Sequence, residues 1–549
     1  MSPPLLLNTS TGVAVDEYLT DDKIAKMLSV DSPSILAANL GRIASRGELA
    51  AMIGCGGMVA RCTSSEHPQV VAAAVNALAQ MGAVDHLQEI AECLTSENVD
   101  VQAAAAGALG VFGTEAAGYS SALAHAVETS KADRVKTLAL HSLGKINASD
   151  QMDLVSGLLD NPSPELCAAA CLAAGSLAEG LDTTSASVGE KIASKLSAEG
   201  DGRRYAAICA LANLGPAITE KYVDIIADKG LSDPDYLTRE AAVQALSQVA
   251  ESIGKSQSCL STLARHMASD DAGICAAAVT TLGYVGKGAA AHADGVAKLL
   301  KDSREDLSWM PLQMGGGGIR PPPAMRKPKC AALIALGAMM STSSLSSCCQ
   351  ELSSSDWEVR MAACEALCGM GTAARDFGSD IAALLKDPVF MVKAKACQAI
   401  GMLKADEEVD RVVELFDDPS PSVRAEAVTA VGELGSNGAS FAGDVYKLLL
   451  APEAGVRAAA LGALAAFGDK AKSYASVIVP FLQDEFPEVR RQAYIALAEF
   501  GEYGQAFLEE MDENLQLEED GYVYEAGEVA ISKLRPSKVI PSVGYGEQE

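Results

Sequence analysis

Residues 417–435 read DDPSPSVRAEAVTAVGELG: two acids, a Pro-Ser turn, then a segment built largely of Ala, Val and Gly. Ser420 is placed to cap a helix by accepting a backbone N–H, and Pro421 suits the first helical position, where its missing donor costs nothing. Val423, Ala427, Ala430, Val431 and Leu434 recur at i, i+4, i+7, i+8 and i+11, one apolar stripe at helical period, with Gly435 placed to end it. Small residues on that stripe let a neighbouring helix approach closely.

The same pattern slides along the chain: an apolar anchor, small residues four and seven later, Leu or Ile eight later. With Val423 as reference, the equivalent anchors are Ile35, Val70, Val101, Val135, Leu166, Arg203, Thr238, Ile274, Pro328, Val359, Val392, Val456, Val489 and Val523. That makes fifteen units, spaced 31 to 37 residues apart except for one interval of 54. Arg203, Thr238 and Pro328 are weak anchors, held in register by ICALANLG, AVQALSQV and ALIALGAM after them. Between anchors lies a second helical pattern, such as Val409, Val412, Val413 and Phe416, or Phe441, Val445, Leu448 and Leu449. One helix pair cannot bury both its apolar faces, so the units must stack.

The sequence therefore predicts an all-α fold, a right-handed α-α superhelix of about fifteen two-helix repeats. The expected layout is a tail at 1–19, repeats 1–8 at 20–307, a Gly/Pro-rich basic loop at 308–327, repeats 9–15 at 328–533 and a tail at 534–549. Only 5% of residues are aromatic against 49% hydrophobic, which suits a core of closely stacked Ala, Val, Leu and Ile.

Copies such as DWEVRMAACEALCGMG, DPSPSVRAEAVTAVGELG and EFPEVRRQAYIALAEFG resemble HEAT repeats, specifically the short kind of phycobilisome-lyase-like and deoxyhypusine-hydroxylase-like proteins. The resemblance runs over residues 20 to 535 and implies a scaffold or adaptor function, with an enzyme on the same fold as the alternative. The hydroxylases carry paired His-Glu motifs for their di-iron centre. None of the six histidines here precedes a Glu, so no metal ligands carry over. Nor do Trp309 and Trp357 have Asn one helical turn on, as the peptide-binding ladders of armadillo import receptors do.

Seventy-two acids against 43 bases give a formal charge of −29, which repels phosphate backbones and anionic membranes and favours basic protein segments as partners. Fourteen cysteines include no C-x-x-C, and several sit where Ala stands in other copies, as expected of reduced core thiols. That usage and the lack of a basic N-terminal leader place the chain in the cytoplasm or a cytoplasm-derived assembly, not among secreted proteins. The run MGGGGIR lacks the Lys-Ser/Thr of a phosphate loop. The reading is a non-enzymatic scaffold with no cofactor and no catalytic or metal residues. The partners expected are other proteins, including the subunits of a larger assembly, and neither nucleic acid, membrane insertion nor a small-molecule ligand is expected.

Two features break the repeat. The residue after each anchor is mixed in the N-terminal units but reads Lys329, Arg360, Lys393, Arg424, Arg457 and Arg490 from the ninth unit on, broken only by Tyr524 in the last. A cation in the first helical turn opposes the helix dipole, so something must compensate it. Two readings are open: a ladder bracing adjacent repeats against turn carboxylates such as Asp356, Asp387, Asp418 and Asp484, or a stripe gripping an acidic partner. The second feature is the insertion SWMPLQMGGGGIRPPPAMRKPK, residues 308–329, whose glycines and Pro triplet break any helix. There Trp309 and Met314 are candidate apolar anchors, and Arg320, Arg326 and Lys327 candidate charged contacts, of a partner-binding loop.

Overall fold

A computed structural model describes residues 20–46, 54–178, 182–200, 202–310 and 320–535. Every regular element among the described residues is helical. The chain divides into two compact units, Met1–Val249 and Ala250–Glu549.

The first unit holds seven anchor-bearing helices: α1 Pro33–Ala44, α2 Pro68–Gln80, α3 Val99–Val111, α4 Asp133–Lys145, α5 Pro164–Leu177, α6 Arg203–Asn213 and α7 Tyr236–Ser247. The second holds eight: α8 Ala272–Val285, α9 Pro328–Ala338, α10 Trp357–Met370, α11 Phe390–Leu403, α12 Pro421–Glu433, α13 Ala454–Phe467, α14 Pro487–Glu499 and α15 Gly521–Leu534. Within each unit every such helix packs on the next, so each unit is a stack of two-helix repeats. The 54-residue interval does not interrupt the stack, because α8 still lies directly against α9.

The composition of residues 417–435 finds its reason in this packing. Nine residues after the anchor, a glycine repeatedly faces the small residue seven after the next anchor. A Cβ on Gly432 would come 2.8 Å from Cα of Ala463, and one on Gly401 would come 2.8 Å from Cα of Ala430. Gly175 stands in the same relation to Ala210, at 2.7 Å, and Gly337 to Ala366, at 2.8 Å. The anchor helices therefore touch backbone to backbone along this line, and any side chain would push them apart. Val423, Ala427 and Val431 are fully buried beside the contact.

The second helices are short and tighten at their ends. Ala442–Lys447 runs into a 3-10 turn at Leu448–Leu450, burying Val445 and Leu449. Asp418, not Ser420, satisfies the following turn. Ser420 makes no side-chain cap, whereas Asp418 Oδ1 accepts the Ser420 backbone N–H at 2.9 Å. The expected serine cap is thus replaced by an Asx turn two residues earlier.

Most of the described anchor helices end twelve residues after the anchor in a residue with positive φ, though Ala178 and Arg535 at that position have negative φ. Gly435 has φ +59°, and the equivalent positions in three other repeats are Asn147, Met340 and Lys404, with φ near +55°. Those three are the non-glycine residues with positive φ among the described residues, and each carries the backbone strain a glycine would avoid.

Candidate functional site

The six bases of the second unit answer to one geometry. Each follows its anchor in the first turn of a stacked helix. Arg360 donates through Nε and Nη2 to Asp387 at 2.7 and 3.0 Å, and Arg457 forks in the same way onto Asp484 at 2.9 and 2.8 Å. Arg490 pairs with Glu518 at 2.8 and 2.6 Å, Arg424 with Glu453 at 2.6 Å, Lys329 with Glu351 at 3.1 Å, and Lys393 with Asp418. Four acceptors, Asp387, Asp418, Asp484 and Glu518, stand five residues before the next anchor. There they also accept a backbone N–H of their own turn, from Val389, Ser420, Phe486 and Asp520.

The arginines have a second duty. Arg360 Nη1 donates to the carbonyls of Ser354 and Ser355, Arg457 Nη1 to Ala451 and Pro452, and Arg490 Nη1 to Asp484 and Glu485. Each of these arginines thus ties its own turn to the turn of the next repeat. The dipole penalty is offset by a carboxylate and by those carbonyls. Side-chain exposure of the six bases lies between 12% and 22%, and each is paired with a carboxylate of the fold. Asp356, expected in the ladder, receives Lys327 instead.

Some repeats of the first unit do similar work with other chemistry, which the mixture of residue types in its sequence conceals. Gln102 donates to Ser96 O at 2.8 Å and accepts from Ser130 of the next repeat at 3.2 Å. Cys167 reaches Leu159 O at 3.0 Å, and Arg204 donates to Leu196 O at 2.7 Å while its guanidinium pairs with buried Asp233.

The insertion is packed where it is described, which corrects its reading as a projecting loop. Arg326 is fully buried, ion-paired with Glu305 and Glu358, and donates to Pro321 O at 3.2 Å. Lys327 lies between Asp356 and Glu358, 2.6 Å from the latter, with 13% side-chain exposure. Trp309 is 7% exposed and donates its indole N–H to Asp306 O at 2.9 Å. Thr280 on α8 donates to Ala324 O at 2.9 Å, and Pro323–Arg326 forms a short helix inside the expected loop. In a very acidic chain these bases looked like spare charge, but Glu305, Asp356 and Glu358 consume them. Arg320 is half exposed, 3.5 Å from Glu358 and 3.8 Å from Glu305. Met314 lies outside the described residues.

All fourteen cysteines are free thiols, most of them buried. Burial pushes Cys330 and Cys397 up to about 12, which keeps them neutral and inert. Among the described residues no group of three or more His, Cys, Asp or Glu side chains is disposed to hold a metal ion.

Family profiles described as HEAT repeats match residues 57–144, 380–440 and 444–532, and one described as HEAT repeat matches residues 345–373. The matched stretches are HEAT repeats. These matches are to HEAT repeats in general and do not separate out the phycobilisome-lyase-like kind. No curated protein matches the chain. Among solved structures, yeast importin-beta (Kap95p) aligns with 93% of this chain and 83% of its own at 13% identity, with a TM-score of 0.59. A Kap95:Nup1 complex aligns with 93% of this chain and 77% of its own at 14% identity, with a TM-score of 0.61. At such identities the likeness is one of fold.

Proposed function

We propose that this HEAT-repeat chain is a non-catalytic scaffold or adaptor that binds other proteins on the outer surfaces of its stacked helices, in the cytoplasm or an assembly derived from it. The observation that carries the reading is the internal use of the ladder and insertion bases. With Arg326, Arg360, Arg457 and Arg490 committed to carboxylates of the fold, the charge left for partners is predominantly acidic, in a chain with 72 acids and 43 bases. Such a surface suits basic protein segments and disfavours nucleic acid. A fold of this kind holds a protein partner in the Kap95:Nup1 complex, which supports the same use here. The test is metal analysis and an absorption spectrum of protein purified from its source, together with its co-purifying proteins. Stoichiometric protein partners with no metal or chromophore are expected. A stoichiometric metal or a covalent chromophore would overturn the scaffold reading in favour of a lyase-like or metal-dependent enzyme.

A further inference from the structure

Along the outer face of α13 the side chains nearly vanish. Ala459, Gly462 and Ala466 floor a trough of about 440 Å³, walled by Glu426 and Glu433 of α12 on one side and Gln492 of α14 on the other. The two glutamates are two helical turns apart on one edge, about 10 Å along the axis.

Between α10 and α11 this face carries a charge pair, Lys395 4.0 Å from Glu365, whose repeat equivalents between α12 and α13 are Ala459 and Thr429. Between α12 and α13 the facing residues are Ala459, Gly462 and Ala466, and among the described residues no cation lies within 4 Å of either the Glu426 or the Glu433 carboxylate. Lys395 is turned to Gln398, at 2.9 Å, and Lys404 donates to the backbone carbonyl of Glu433, not to its carboxylate. Burial raises both carboxyls above the ordinary range, and Glu426 adds to the rise at Glu433. Lys395 and Lys404 lower the Glu426 and Glu433 carboxyls respectively, but burial outweighs them, so the fold repays the partial desolvation of these two charges only in part.

We infer that this trough is a docking site for a helix of a partner protein, one that lays a small-residue face on α13 and sets Lys or Arg, seven residues apart, onto Glu426 and Glu433. The floor residues at i, i+3 and i+7 present almost no side chain, so an incoming helix can approach to about 8 Å between axes, the short end of helix packing. The spacing of the two acids matches two turns of that helix. This inference rests on the scaffold reading and gives it one site and one chemistry of partner.

The test uses the full chain and a labelled, stapled alanine-rich helical peptide with lysines seven residues apart, titrated by fluorescence anisotropy. Wild type is expected to bind it, with affinity falling at least tenfold for Glu426→Gln/Glu433→Gln and for Gly462→Leu, which fills the floor. The charge-matched control Glu509→Gln/Glu510→Gln is expected to bind as wild type. The melting temperature of the Glu426→Gln/Glu433→Gln variant should not fall below wild type, since burial outweighs the nearby lysines at both carboxyls. The inference is overturned if wild type does not bind, if the control loses affinity equally, if Gly462→Leu binds normally, or if lysines three apart or an unstructured peptide of the same composition bind as well. Co-purifying partners that crosslink elsewhere on the chain would remove this site and leave the scaffold reading standing.

Discussion

The Arg457 guanidinium forks onto the Asp484 carboxylate at 2.9 and 2.8 Å across 27 residues of chain, and the same arginine donates to the carbonyls of Ala451 and Pro452. One side chain therefore joins its own turn to the next repeat's. With the two side chains 12% and 10% exposed, removing either partner strands the other. Arg457→Ala or Asp484→Ala should each cost roughly 3 kcal/mol. A double-mutant cycle by urea unfolding should give a coupling of at least about 1 kcal/mol. Additive losses would mean that the two residues act independently.

Acid should loosen the ladder in a defined window. At Asp484 burial opposes ionisation but is outweighed by Arg457 and the Phe486 N–H, so its carboxyl titrates below the usual range. At Glu518 the Arg490 hydrogen bond leads a shift in the same direction. A depressed folded pKa gives stability that is present above the unfolded value, about 4, and is lost as pH falls through the folded value. Glu426 and Glu433 have the opposite sign, and their protonation relieves the folded state. Stability should thus hold or rise slightly from neutral towards pH ~5 and drop below pH ~4. Denaturant midpoints across that range check it, and a monotonic fall beginning at neutral pH would contradict it.

Much of this was legible in the sequence. Every anchor from Ile35 to Val523 lies in its own helix, because the repeat is written as a period of small and apolar residues that only stacked helices satisfy. The carboxylates at Asp387, Asp418 and Asp484 were legible as well, since their turns recur at fixed distance from the bases. What the sequence hid depends on partners far along the chain. Arg326 reads as a loop charge until Glu305 and Glu358 close around it, 21 and 32 residues away. The trough on α13 was also invisible, because Gly462 and Ala459 carry no chemistry and matter only through what stands opposite them.

The backbone contact at Gly432 makes a sharp demand. Gly432→Val should cost about 1–3 kcal/mol through overpacking against Ala463. The same change at Gly455, where a Cβ meets nothing within 4 Å, should not overpack and should cost well under half as much. Equal losses at both sites, by thermal unfolding, would show that helix propensity and not packing governs the effect.

Met340 occupies a glycine position with φ +56°. Met340→Gly should stabilise the chain by about 1 kcal/mol, since relief of the left-handed strain exceeds the added entropy of the unfolded chain. A lower melting temperature would show that the Met340 side chain contributes more than its backbone costs.

Arg326 is expected to behave as a core residue. Arg326→Ala should destabilise by about 3–5 kcal/mol by leaving Glu358 buried without its guanidinium. Arg320→Ala, at a half-exposed site, should cost less than about 1 kcal/mol. Indistinguishable melting temperatures for the two variants would return Arg326 to the surface.

The central claim, that proteins bind the outer faces of the stacked helices while the ladder and insertion bases serve the fold, is tested most directly by crosslinking mass spectrometry on the chain in native extract. The account predicts inter-protein crosslinks clustered on the exposed faces of anchor helices such as α12 to α14, with none to Lys327, Lys329 or Lys393. Partner crosslinks concentrated on those three lysines would contradict it.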